Sequence, residues 1–129
     1  MHKALVVDDN FVNCKLLCEV LKDYVKCDVA SNGGEALEAY QHAQNEGNPY
    51  DIILLDIAMP EISGIETLRE IRRREEDRGV LLGDGIPIIM VTAYKDPFLD
   101  AFNKGCDDYV VKPIDSAMLR QKVKDKLKI

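Results

Sequence analysis

Basic charge is in short supply in this chain. Lys and Arg number 17 against 23 Asp and Glu, a formal net charge of −6 over 129 residues, with a pI of about 4.9. That deficit argues against a nucleic-acid-binding face and against a polybasic membrane anchor. Long apolar runs are missing too, and none approaches the ~20 residues of a membrane span. Met1-His2-Lys3-Ala4 leads straight into strand-like sequence, without the features of a signal peptide. These absences predict a cytoplasmic protein that does not insert into a membrane. Histidine is limited to His2 and His42, and Cys14, Cys18, Cys27 and Cys106 form no Cys-x-x-Cys pair, which argues against a zinc site. Cys14 and Cys18, one helical turn apart, read as small residues at a core edge in a reducing compartment. No repeat, low-complexity tract or linker interrupts the chain. Its length fits one domain, residues 1–129, able to bury roughly two thirds of its unfolded surface.

What is present is a series of short apolar runs that end in polar groups. Ile52-Ile53-Leu54-Leu55 stops at Asp56, as a strand buried on both faces of a parallel sheet would. Lys3 to Val7 is a second such run, broken by Asp8-Asp9-Asn10. Cys27 to Ala30 is a short strand, Pro87 to Thr92 ends in a hydroxyl, and Asp108 to Val111 ends in Lys112-Pro113. Helical spacing fills the intervals. From Phe11 to Tyr24 the apolar positions are Val12, Leu16, Leu17, Val20, Leu21 and Tyr24. Ser31-Asn32-Gly33-Gly34 reads as a turn before a helix over 35–44 with Ala36, Leu37, Tyr40 and Ala43 inward. Ser63 can cap a helix whose core face is Ile65, Leu68 and Ile71. The block from Arg72 to Arg78 reads as the solvated end of that helix. Further helices are expected over 98–104, stopped by Gly105, and over 116–127 with Leu119, Val123 and Leu127 on one face. Five alternations of strand and helix give an α/β fold, a parallel sheet covered by helices on both faces.

In such a sheet the strand C-termini share one edge, where ligands bind. Here that edge collects Asp8, Asp9, Asp56, Thr92 and Lys112. Three converging carboxylates repel one another, at ~4 Å and an effective dielectric near 20 by on the order of 4 kcal/mol per pair. Either some take up protons or a divalent cation neutralises them, and hard oxygen ligands suit Mg2+. A metal, an ammonium and a hydroxyl around one carboxylate suggest phosphoryl transfer, with Asp56 as nucleophile and an aspartyl phosphate as product.

The sequence resembles a response regulator receiver domain of two-component phosphorelay signalling, of the CheY-like kind, over essentially its whole length. The resemblance rests on Val6-Val7-Asp8-Asp9-Asn10, on Leu54-Leu55-Asp56-Ile57-Ala58-Met59-Pro60 with Gly64, on Val91-Thr92-Ala93, and on Gly105 through Pro113. It implies a flavodoxin-like (βα)5 domain with strand order 2-1-3-4-5. It implies Asp56 as phosphoacceptor, and Asp8, Asp9 and Asp56 as Mg2+ ligands with the backbone carbonyl of Ala58. Lys112 would pair with the phosphoryl oxygens, on a cis Lys112-Pro113 bond. Thr92 would move to the phosphoryl group on activation and Tyr109 would turn inward. The segment after Thr92, the last strand and the last helix would then change partner affinity. The donor would be a sensor histidine kinase or a histidine phosphotransfer protein. The reader would be a downstream effector protein or output domain, and a phosphorylation-dependent homodimer is compatible with the resemblance. It further implies no enzyme beyond the domain's own phosphoryl transfer and dephosphorylation, whether the domain stands alone or belongs to a hybrid histidine kinase. Ala58 and Tyr94 occupy the positions that tune phosphoryl lifetime. Neither offers a carboxylate or amide to orient water, so slow self-dephosphorylation is expected. Ser63 departs from the family's usual Asp or Asn, with little expected effect.

Three other readings are weaker on the residues. A binding module of the same fold without phosphoryl chemistry usually loses an acid, the Lys or the Thr, and all are kept here. A flavin protein would want a Ser/Thr/Gly loop after the first strand, where Asp8-Asp9 would repel a phosphate. An aspartyl-phosphate hydrolase would need a general acid at position 58, which is Ala.

Overall fold

The computed structural model describes residues 1–59, 61–81, 83–93 and 105–129. Its strands are β1 (His2–Val7), β2 (Val25–Ala30), β3 (Ile52–Asp56), β4 (Ile88–Thr92) and β5 (Asp108–Val111). Its helices are α1 (Phe11–Leu21), α2 (Gly33–Asn45), α3 (Gly64–Asp77) and α4 (Ser116–Leu127). The expected helix over 98–104 lies outside the described residues, as do Pro60 and Tyr94.

The strands form one sheet in the order β2-β1-β3-β4-β5, with every neighbouring pair parallel. Successive side chains of a strand point to opposite faces, and the alternation sorts the core into two layers. Ala4, Val6, Ile52, Leu54, Ile89 and Val91 pack with Leu17 and Leu21 of α1 and Leu119 and Val123 of α4. Leu5, Val7, Ile53, Leu55, Ile88 and Met90 pack with Tyr40 of α2 and Leu68 and Ile71 of α3. Every residue of β3 and β4 is buried, because both strands are covered on both faces.

Each described helix starts on a side chain that accepts a hydrogen bond from a free backbone N–H. The caps are Asn10 for α1, Asn32 for α2, Ser63 for α3 and Asp115 for α4. The Asn32 cap corrects the turn expected at 31–34, since Gly33 and Gly34 already belong to α2. The inward face of α1 also differs from expectation. Cys14, Leu17 and Leu21 are buried, whereas Val12 and Leu16 are exposed. The apolar arc of α1 is wider than the part that the sheet covers.

The charged end of α3 is not simply solvated. The Glu75 side chain is buried. It accepts from Arg72 Nη1 at 2.7 Å and from the Ile86 amide at 2.6 Å. Arg72 donates onward to the Gly105 carbonyl at 2.6 Å and to Asp107 at 2.9 Å, and Asp107 also accepts from the Ile88 amide. This network ties α3 to the chain on either side of β4. Glu75→Gln removes one charge from it and is expected to cost about 2 kcal/mol. The measurement is a lowered urea midpoint at unchanged m-value.

Candidate functional site

Parallel strands bring the ends of β1, β3, β4 and β5 to one edge. The register pairs Val7 with Leu55, Asp56 with Val91, and Thr92 with Val111. Asp8 therefore leaves β1 beside the end of β3, and Lys112 leaves β5 beside the end of β4. Asp8 is 2% exposed, Asp56 5%, and Thr92 is fully buried, while Asp9 is exposed.

Carboxylate oxygens of Asp8, Asp9 and Asp56 lie within 4.8 Å of one another. The Lys112 ammonium reaches between two of them, 3.1 Å from Asp8 Oδ2 and 3.7 Å from Asp56 Oδ2. Backbone amides complete the frame. The Asn10 N–H donates to Asp8 Oδ1 at 2.9 Å, and the Ala58 N–H donates to Asp56 Oδ1 at 3.4 Å. The Lys112 amide donates to the Thr92 carbonyl at 2.7 Å, and the Lys112-Pro113 peptide bond is cis.

The electrostatics of the cluster are unresolved by its own charges. Burial pushes the Asp56 carboxyl up to about 6, and the Asp8 charge adds to that. Lys112 and the Ala58 amide pull the other way without cancelling it. One ammonium among three carboxylates, two of them buried, leaves net negative charge at the mouth of the sheet. That is the chemistry of a hard divalent cation site, with oxygen donors already gathered on one side. The residues present therefore fit Mg2+.

Tyr109 is apart from this cluster. It stands 38% exposed on β5, with the Lys122 ammonium 5.5 Å from its ring centroid. Ala58 adjoins Asp56 through its amide and is itself exposed. Two contributors escaped the sequence reading. The Asn10 amide orients Asp8, and the only sequence signal was an Asn preceding a helix. The Cys14 thiol donates to the Asp8 carbonyl at 3.3 Å, for which periodicity gave no signal.

The sequence matches the response regulator receiver domain family over residues 4–124. The chain belongs to that family. The receiver domain is 38% identical over 128 residues to the hybrid signal transduction histidine kinase L of Dictyostelium discoideum, a match covering 96% of this chain and 7% of that protein. It is 35% identical over 114 residues to the transcriptional regulatory protein ZraR of Klebsiella oxytoca, covering 86% of this chain and 23% of that one. It thus spans between 7% and 23% of the length of these two relatives. Among solved structures, the chemotaxis protein CheY4 of Vibrio cholerae superposes with a TM-score of 0.80 at 26% identity, covering 97% of this chain and 98% of the other. The response regulator TrrA of Thermotoga maritima, in complex with Mg2+-BeF, gives 0.78 at 37% identity, covering 98% and 99%. No helix among the described residues is long and apolar enough to cross a membrane.

Proposed function

We propose that residues 1–129 act as one receiver unit that takes a phosphoryl group from a phosphohistidine onto Asp56. The carrying observation is the convergence of Asp8, Asp9 and the Lys112 ammonium on a buried Asp56. Asp8, Asp9, Asp56 and the Ala58 carbonyl would hold Mg2+, which supplies charge neutralisation for the phosphoryl oxygens. Asp56 attacks phosphorus as the carboxylate. The phosphorus–nitrogen bond to the donor breaks, and its electron pair stays on the imidazole. Lys112 meets the incoming phosphoryl oxygens, a role supported by its ammonium lying 3.7 Å from Asp56 Oδ2. The aspartyl phosphate carries up to two negative charges, and the Thr92 hydroxyl and Lys112 turn toward them.

That movement is the switch. Thr92 ends β4, and Tyr109 lies on the neighbouring strand β5. Tyr109 turns inward as Thr92 shifts, and the surface of the segment after Thr92, β5 and α4 changes its affinity for a downstream effector or output domain. A coupling of ~1–3 kcal/mol corresponds to roughly 5–150-fold in that affinity. The donor is a sensor histidine kinase or a histidine phosphotransfer protein.

The test is intact-mass spectrometry after incubation with a small phosphodonor, with Mg2+ and with EDTA. One phosphoryl group is gained in Mg2+ and none in EDTA. Equal uptake in EDTA would remove the metal from the mechanism. No uptake from either a small donor or a phosphohistidine would leave a binding module without phosphoryl chemistry. A second expectation concerns lifetime. Ala58 presents no group to orient water, so the phosphorylated protein should decay slowly in Mg2+. A half-life of seconds would contradict this.

A further inference from the structure

β2 stands at the end of the strand order, and β1 is its one strand neighbour among the described residues. The Ala30 carbonyl accepts from the Asp8 amide. The backbone groups of Ala30 therefore face β1, and by alternation so do those of Asp28 and Lys26. The amides and carbonyls of Val25, Cys27 and Val29 face outward, along an edge that no described strand covers. A groove of about 810 Å³ runs beside this edge. Its other wall is α1, where Phe11, Lys15, Cys18 and Lys22 are spaced four, three and four apart and so form one stripe down the helix. α1 carries the chain from the end of β1 back to the start of β2, so Phe11 lies toward the Val29 end and Lys22 toward the Val25 end. At 1.5 Å per residue the stripe is roughly 17 Å long. The six residues of β2 extend over roughly the same distance.

The groove differs in charge from the rest of the chain. Lys3, Lys15, Lys22 and Lys26 line it against two carboxylates, Glu19 and Asp28, although the chain as a whole carries −6. Both carboxylates are already engaged, Glu19 with Lys22 at 2.6 Å and Asp28 with the Tyr50 hydroxyl at 2.8 Å. Lys15 and Lys26 are exposed and form no ion pair among the described residues. We infer that this groove receives an extended acidic segment of a partner protein, which adds to the free edge of β2 as a further strand. Its backbone pairs with the outward amides and carbonyls of Cys27 and Val29. Carboxylates on its α1 side meet Lys15 and Lys22, and apolar side chains between them rest on Phe11 and Cys18. Lys26, on the opposite face of the sheet, meets a further carboxylate. The Lys22–Glu19 pair is exposed, so exchanging it costs little. A second copy of this chain is a poorer occupant, because edge-to-edge pairing would gather the unpaired lysines of both copies at one seam.

The probe is a capped, fluorescein-labelled peptide of alternating Glu and Val, about eight residues long to cover the strand, added to the folded, full chain. Fluorescence anisotropy should show saturable binding, and the same peptide with Lys in place of Glu should bind at least about tenfold more weakly. Lys15→Glu together with Lys26→Glu should weaken the Glu peptide by a similar factor. Amide hydrogen exchange locates the contact. The Cys27 and Val29 amides should exchange at least about tenfold more slowly with the peptide bound, whereas those of Lys26 and Asp28, already facing β1, should change little. Absence of saturable binding, equal binding of the Glu and Lys peptides, or binding without protection at Cys27 and Val29 would each overturn the inference. So would a dimer seen by sedimentation that protects these amides without peptide, since a second copy would then be the occupant. The exchange measurement on the wild type decides this by itself should the double variant fold poorly.

Discussion

Asp56→Asn is expected to abolish phosphoryl uptake and, at neutral pH, to make the fold more stable. The two effects share one cause. Asp56 is buried beside Asp8, and its carboxyl is pushed up to about 6 from an ordinary value of 3.8. The unfolded chain ionises this group near 3.8 and the folded chain only near 6. Between those values the folded state binds the extra proton, so stability falls as pH rises through the window. Above it the full penalty applies, on the order of 3 kcal/mol. Asparagine carries no charge and escapes that penalty. Its melting midpoint at pH 7 should therefore exceed the wild type's by roughly 10 °C, and the two should converge near pH 4. Scanning calorimetry at both pH values checks this. A variant no more stable than wild type at pH 7 would mean that Lys112 already neutralises Asp56. Mg2+ should narrow the gap, because it favours the ionised carboxylates of the wild type and finds one fewer in the variant.

Gly64→Ala should damage both fold and site. Gly64 opens α3, and its amide donates to the Ile57 carbonyl at 3.0 Å. An added Cβ would fall far inside van der Waals contact distance of the Asp56 carbonyl oxygen and 2.8 Å from Ile57 Cα. These are backbone atoms, so no rotamer change relieves the clash. Either α3 moves away or the end of β3 shifts, and Asp56 shifts with it. A loss of about 3 kcal/mol is expected, read by urea denaturation, with phosphoryl uptake slowed at least about tenfold through misplacement of Asp56, the proposed nucleophile. Gly34→Ala is the contrast. Its nearest neighbour beyond the helix is the Asn32 side-chain oxygen, 3.3 Å from the added carbon. Alanine inside a helix should there be neutral or stabilising by up to about 1 kcal/mol.

Much of this architecture was legible because strand burial leaves a plain mark. β3 and β4 are covered on both faces, so they read as unbroken apolar runs. Because the sheet is parallel, the polar residues ending those runs had to share an edge. That is how Asp8, Asp9, Asp56, Thr92 and Lys112 could be grouped from sequence. What escaped depended on partners distant in sequence. Glu75 looked like one more surface charge, yet it accepts from Ile86, 11 residues on, and its partner Arg72 reaches Asp107, 35 residues on. The α1 face was misjudged because Phe11, Val12 and Leu16 are apolar but exposed, so periodicity alone could not choose which arc meets the sheet. β2 starts at Val25 rather than Cys27 because Val25 pairs with His2, a register set by β1 and not by local composition.

The position of β1 between β2 and β3 has a consequence for building a reporter. The loop from Glu46 to Pro49 is exposed throughout. A polypeptide cut between Asn48 and Pro49 would leave Asp8 and Asp9 on the first piece, and Asp56, Thr92 and Lys112 on the second. The seam between the pieces is the β1–β3 ladder, in which Val7 stands beside Leu55. Neither half owns a complete acidic pocket, and only their complementation restores one. Fused to two other proteins, the halves would act as a coincidence detector, with the proposed phosphoryl uptake on Asp56 as the output signal.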